Sequence, residues 1–158
     1  MTTPSASANP SRITVVGVGD GGAAVIDRMI ENGMSGVRFV AVNAAARDLE
    51  RSHAPLQVSL GLDVLRDALA LTIARVADAA EAHADDLAFP LMGSQIVFVV
   101  CGLGGSTGTG AAPVLAIERR APIHLVGCLA AAEQVARSFG VGERHVTGLA
   151  RFGRDREA

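Results

Sequence analysis

The chain has 158 residues, 49% of them hydrophobic and only 3% aromatic, with neither Trp nor Tyr, and carries a formal net charge of −2. That is one globular domain's worth of chain. The charge balance excludes the footprint of a nucleic-acid or acidic-membrane binder, the scarcity of aromatics excludes a base-stacking platform, and no apolar run reaches the ~18 residues of a membrane span.

Met1 to Ser11 is small, polar and punctuated by proline, and is expected to be a disordered leader without chemistry. It has no hydrophobic segment of the kind a secretory signal needs, so a cytoplasmic protein is expected. Arg12 to Val18 reads as a buried strand, Gly17 to Gly22 as a glycine turn, and Ala23 to Asn32 as an amphipathic helix with apolar residues at Val25, Ile26, Met29 and Ile30. Gly33 ends that helix and Val37 to Val42 makes a second strand finishing at Asn43, so the first unit is β-α-β with parallel strands.

Asp48 to His53 reads as a short helix and Leu56 to Leu60 as a short edge strand. Leu62 to Asp86 contains neither Gly nor Pro, and Leu62, Leu65, Leu69, Ile73, Val76 and Ala80 recur at helical spacing, which predicts one long helix. After the Phe89-Pro90 and Gly93 loop, Ile96 to Val100 is a central strand. Cys101 to Gly110 is a glycine loop, Ala111 to Arg119 a helix, and Ile123 to Cys128 another parallel-type strand. Ala130 to Arg137 reads as a last helix before a glycine-containing, poorly ordered tail over 141–158, leaving 12–140 as the domain. The pattern predicts an α/β fold: a doubly wound, mainly parallel sheet with helices on both faces, Rossmann-like.

Cys101 and Cys128 close apolar strand runs and read as buried thiols in a reducing compartment, and His53, His83, His124 and His145 stand isolated, so no metal site is assigned. Both glycine loops fall at the carboxyl ends of strands. The second, Cys101-Gly102-Leu103-Gly104-Gly105-Ser106-Thr107-Gly108-Thr109-Gly110, joins a strand to a helix, so its amides and the helix dipole make a seat for an anion, with hydroxyls from Ser106, Thr107 and Thr109. The absence of lysine excludes a Walker-type P-loop. Gly104-Gly105-Ser106-Thr107-Gly108 also satisfies G-x-S-x-G, with Ser106 as a nucleophile and His124 and His145 downstream, and that alternative stays open on residue order. So does a glycine turn that only lets helix and strand pack closely. Gly17-x-Gly19-x-x-Gly22 matches the dinucleotide fingerprint, but the second strand ends at Asn43-Ala44-Ala45 with no ribose-binding acid, which argues against NAD.

Two blocks resemble the tubulin/FtsZ superfamily, on its bacterial FtsZ side. Ile13 to Gly22, continuing through Arg28-Met29-Ile30 and Gly36 to Asn43, is similar to the FtsZ amino-terminal segment. Val97 to Pro113 is similar to the tubulin signature, with Ser106 where the family usually has glycine. The resemblance implies GTP or GDP bound by Gly19, Asp20, Gly21, Gly22 and Asn43 together with Gly104, Gly105, Ser106, Thr107, Gly108, Thr109 and Gly110. It implies a role in bacterial cell division and filament formation, with guanine nucleotide, full-length FtsZ or further copies of the chain as partners, and neither nucleic acid nor membrane. Mg2+ is allowed, but no protein ligand for it is identified.

The departures from the family pattern are specific. Ala24, Ala44 and Ala45 replace polar residues lining the nucleotide, Asp20 replaces a glycine, and Ala68-Leu69-Ala70-Leu71 stands where a phosphate loop is usual and reads as helix interior. Asp20 puts a carboxylate beside the proposed polyphosphate. Glu143 and Arg144 only faintly echo a sugar-side segment of the family. The resemblance covers the nucleotide-binding half alone, without the second domain that supplies catalytic acids, so a truncated, partly degenerate domain with little or no hydrolysis alone is expected, and no catalytic residue is assigned. A non-enzymatic remnant or interaction module that lacks useful nucleotide binding is the alternative.

Overall fold

A computed structural model describes residues 13–62, 71–117 and 123–129. The expected leader, the last helix, the tail with Glu143 and Arg144, and most of the Ala68 to Leu71 stretch lie outside them. Five strands, β1 Ile13–Val18, β2 Val37–Asn43, β3 Leu56–Ser59, β4 Ile96–Leu103 and β5 Ile123–Leu129, form one sheet in the order β3-β2-β1-β4-β5. Every pairing in it is parallel. The sheet is the doubly wound one that the strand-helix alternation predicts.

Side-chain alternation explains its two covered faces. In β1, β2 and β4 the residues Val16, Val18, Val40, Val42, Val97, Val99 and Cys101 point to one side, and Val15, Phe39, Ala41 and Val100 to the other. The first set packs against α3 (Ile73–Ala82), α4 (Ala84–Ala88) and α5 (Ser106–Ile117) through Val76, Ala80, Leu87, Ala111, Ala112 and Leu115. The second packs against α1 (Gly19–Glu31) and α2 (Ala46–Leu49) through Ile26 and Leu49. Near-continuous apolar runs in the central strands are what a sheet buried on both faces requires.

Several boundaries differ from the sequence reading; the short helix expected over Asp48 to His53 is α2 at Ala46–Leu49 instead. Helix α1 begins at Gly19, inside the expected turn, because the left-handed backbone of Gly19 (φ +71°) turns the chain from strand to helix in one residue. Helix α5 likewise begins at Ser106, and β4 runs on to Leu103, so the second loop shrinks to Gly104 and Gly105. The long helix expected from Leu62 is not continuous. Leu71 is not helical, and α3 starts at Ile73, where the Thr72 hydroxyl accepts from the Arg75 N–H at 3.3 Å and caps it. Ile73, placed on the apolar stripe by its spacing, is 49% exposed as the first residue of the new helix, while Val76 and Ala80 are fully buried. His83 closes α3, and its Nδ1 meets the Asp86 carboxylate at 3.0 Å in the short α4 that follows.

One buried polar contact ties β1 to the segment leading into β4. The Thr14 hydroxyl, wholly buried, pairs with the Ser94 hydroxyl at 2.7 Å. Ser94→Ala leaves the Thr14 group without that partner in a closed site, so urea unfolding should show a loss of about 1–3 kcal/mol. Nearby, the Arg38 guanidinium donates to the Pro90 and Met92 carbonyls, fixing the turn after α4 to the start of β2.

Candidate functional site

β1 and β4 are neighbours in the sheet, and the chain leaves them in opposite directions along it, towards β2 and towards β5. This is a topological switch point, where parallel α/β sheets leave a crevice at the carboxyl ends of their strands. Both glycine segments sit there. A Cβ built on Gly19 would stand 3.3 Å from the Thr107 Cβ and 3.4 Å from the Gly108 nitrogen, and one on Gly21 would stand 3.5 Å from the Gly102 Cα. The first turns of α1 and α5 therefore converge.

Their main-chain donors follow from helix geometry. The N–H of Thr109 makes the first bond of α5, to the Gly105 carbonyl at 3.1 Å, so the N–H groups of Ser106, Thr107 and Gly108 precede any intrahelical acceptor. Helix α1 starts after Val18, whose side chain makes no cap, and Gly19, Asp20 and Gly21 stand in the same position there. Two positive dipole ends thus face one crevice with no lysine or arginine in either turn. Gly104 (φ +115°) and Gly105 keep the approach open: a Cβ on Gly104 would meet nothing within 4 Å, and one on Gly105 nothing nearer than the Gly102 carbonyl at 3.9 Å.

The remaining glycines of the two loops do a different job. A Cβ on Gly22 would run into the Val100 carbonyl of β4, and one on Gly108 into the Gly102 carbonyl. On Gly110 it would come within 2.6 Å of the Ile73 carbonyl and 2.8 Å of the Val76 Cβ. These three seat α1 and α5 against the sheet and α5 against α3. Gly17, not singled out as a site residue, belongs with them, since its Cβ would press on the Gly22 carbonyl at 2.5 Å.

Polar side chains at the crevice are partly engaged within the protein. The Asn43 amide, 2% exposed, donates through Nδ2 to the Asp20 carboxylate at 2.8 Å and accepts the Ala44 N–H through Oδ1 at 2.8 Å. The Thr109 hydroxyl accepts the Gly104 N–H at 3.3 Å, while Ser106 is half-buried and Thr107 buried. The Asp20–Asn43 pair was not anticipated from sequence. Its only signal was two polar residues at the ends of elements that prove to be adjacent. Cys101 is fully buried in the core beneath this end of β4.

The match to known proteins decides what fold family carries this crevice. Residues 12–126 match the family described as Tubulin/FtsZ family, GTPase domain. The chain belongs to the Tubulin/FtsZ family. Cell division protein FtsZ 1 of Pyrococcus horikoshii is 40% identical over 107 residues, which make up 67% of this chain and 29% of that protein. Among solved structures, an FtsZ dimer of M. jannaschii aligns with a TM-score of 0.67 and 34% identity, over 75% of this chain and 36% of that one. CetZ2 from Haloferax volcanii, solved as a GTPγS-bound protofilament, aligns with a TM-score of 0.60 and 28% identity, over 75% of this chain and 40% of that one. The chain spans about three tenths of the length of the curated relative. Among the described residues no helix is long and apolar enough to cross a membrane, and no group of three or more His, Cys, Asp or Glu is placed to hold a metal ion.

Proposed function

We propose that this Tubulin/FtsZ domain is a cytoplasmic guanine-nucleotide binder, taking GTP or GDP with the phosphates at the converging first turns of α1 and α5. The observation that carries the reading is the approach of Gly19 to Thr107 and Gly108, which gathers amides from two helix N-termini at one point. The residues fit the group: Gly19, Gly21, Gly104 and Gly105 leave room that Cβ atoms would take, and Ser106 and Thr107 bring hydroxyls for phosphate oxygens. Guanine selectivity rests on family membership. Mg2+ would arrive with the nucleotide, neutralising phosphate charge.

Hydrolysis by these 158 residues alone is proposed to be slight, since the family resemblance assigns the water-positioning acids to a part of the longer relatives beyond the matched residues 12–126. Self-association, or docking on a full-length relative, is proposed from relatives solved as a dimer and as a protofilament. A second reading, a fold retained for interaction without useful nucleotide affinity, has its own support: the Asn43 amide and the Gly104 N–H are bonded within the protein, and Asp20 brings negative charge to the cradle.

Calorimetric titration with GTP, GDP, ATP and NAD separates the two. Saturable heat with GTP and GDP, and little with ATP or NAD, is the expected result. Absence of heat with all four leaves the interaction module as the surviving reading.

A further inference from the structure

Asp20 occupies the second position of α1, where a carboxylate is favoured by the helix dipole, between Gly19, which approaches Thr107 and Gly108 of α5, and Gly21, which approaches Gly102. Its position is fixed from below. Asn43 is buried at the end of β2, its Oδ1 is held by the Ala44 N–H, and its Nδ2 is thereby aimed at Asp20 Oδ1, 2.8 Å away. The Asp20 side chain is exposed at the mouth rather than folded into the core.

We propose that Asp20 is a resident counter-anion: its carboxylate, held by Asn43, complements the N-terminus of α1 in the unliganded protein and opposes phosphates that bind there. The inference rests on the nucleotide reading above and adds a regulatory contact to it. A phosphate at the first turn of α1 then meets a like charge that is always present, so the two compete for that helix dipole. The contact stabilises the unliganded protein at the expense of affinity, so loss of the charge moves stability and binding in opposite directions. A residue that merely supports the fold would move both the same way or leave binding unchanged.

Asp20→Asn removes the charge and keeps an oxygen able to accept from Asn43, and at an exposed position it should fold. The full chain and the variant are titrated with GDP and with inorganic pyrophosphate in the presence of a chelator, so that no divalent cation bridges carboxylate and phosphate. Their unliganded melting temperatures are compared by circular dichroism. The variant is expected to bind both probes about ten-fold tighter while its unliganded Tm falls by about 1–4 °C. Equal or weaker binding by the variant, or an unchanged or higher Tm, overturns the inference and leaves the nucleotide reading standing. Absence of binding by both proteins, to both probes, overturns the two together.

Discussion

Replacing Gly22 with alanine is expected to cost the domain about 3 kcal/mol or more, a large share of the roughly 5–15 kcal/mol that holds a domain folded, whereas the same change at Gly21 leaves it intact. The two positions are adjacent on α1 and differ only in what their missing methyl faces. At Gly22 a Cβ would collide with the Val100 carbonyl and lie 2.9 Å from the Gly17 carbonyl carbon. Both obstacles are backbone of central strands, held by hydrogen bonds on either side, so neither side-chain rotation nor local relaxation makes room. At Gly21 the nearest atom is the Gly102 Cα at 3.5 Å, an ordinary contact. Exchanging glycine for alanine there also lowers the entropy of the unfolded chain and improves helix propensity, a gain of about 0.4–1 kcal/mol. Urea denaturation of both variants checks the contrast, with a lower midpoint for Gly22→Ala and an unchanged or higher one for Gly21→Ala. Equal midpoints would show that α1 lifts off β4 more easily than the close packing of Gly17 and Gly22 allows.

That contrast marks where the letters of the sequence were informative. The runs Ile13 to Val18, Val37 to Asn43 and Ile96 to Val100 carry apolar β-formers on both faces, which a strand covered on both sides requires, and their alternation with helices points to a parallel, doubly wound sheet, though not to its strand order. A glycine-rich segment after a strand likewise announces a tight passage into a helix. It does not say which glycine turns the chain and which lets two elements touch. Gly19 turns; Gly22, Gly108 and Gly110 touch. The difference depends on Val100, Gly102, Ile73 and Val76, which are remote in the chain or belong to other elements, and no local pattern encodes them.

The same limit applies to the segment after Leu62. Helical spacing of apolar residues is satisfied across Thr72, yet a threonine hydroxyl competes with the helix for a backbone N–H, and at Thr72 it wins as a cap for α3. The contact between Asp20 and Asn43 is also tertiary in origin. It exists because β1 and β2 pair in register from Ile13 with Val37 to Val18 with Val42, which brings the residue after Val42 level with the start of α1.

Gly105→Asp is expected to abolish nucleotide binding while leaving the fold at least as stable. Gly105 is the N-cap of α5: its carbonyl accepts the first helical bond, from Thr109, and helix begins at the next residue. Aspartate is among the preferred residues at such a position, where its carboxylate takes the N–H of the second or third helical residue, here Thr107 or Gly108. Nothing in the structure resists the side chain, since a Cβ at Gly105 has no neighbour closer than 3.9 Å and the position has no positive φ. The helix gains a cap worth a few tenths of a kcal/mol over glycine. For a phosphate the change is adverse twice: the carboxylate consumes an amide that the ligand needs, and it adds negative charge within the cradle. A unit like charge at about 4 Å costs about 4 kcal/mol at an effective dielectric of 20, roughly a thousand-fold in affinity. Gly108→Val is a poorer probe, because its side chain would strike the Gly102 carbonyl and disturb packing before any ligand is involved. Calorimetry with GDP and a thermal melt of the same sample make the test. Binding lost with an unchanged or raised Tm places the phosphates at the first turn of α5, and undiminished binding would place them elsewhere.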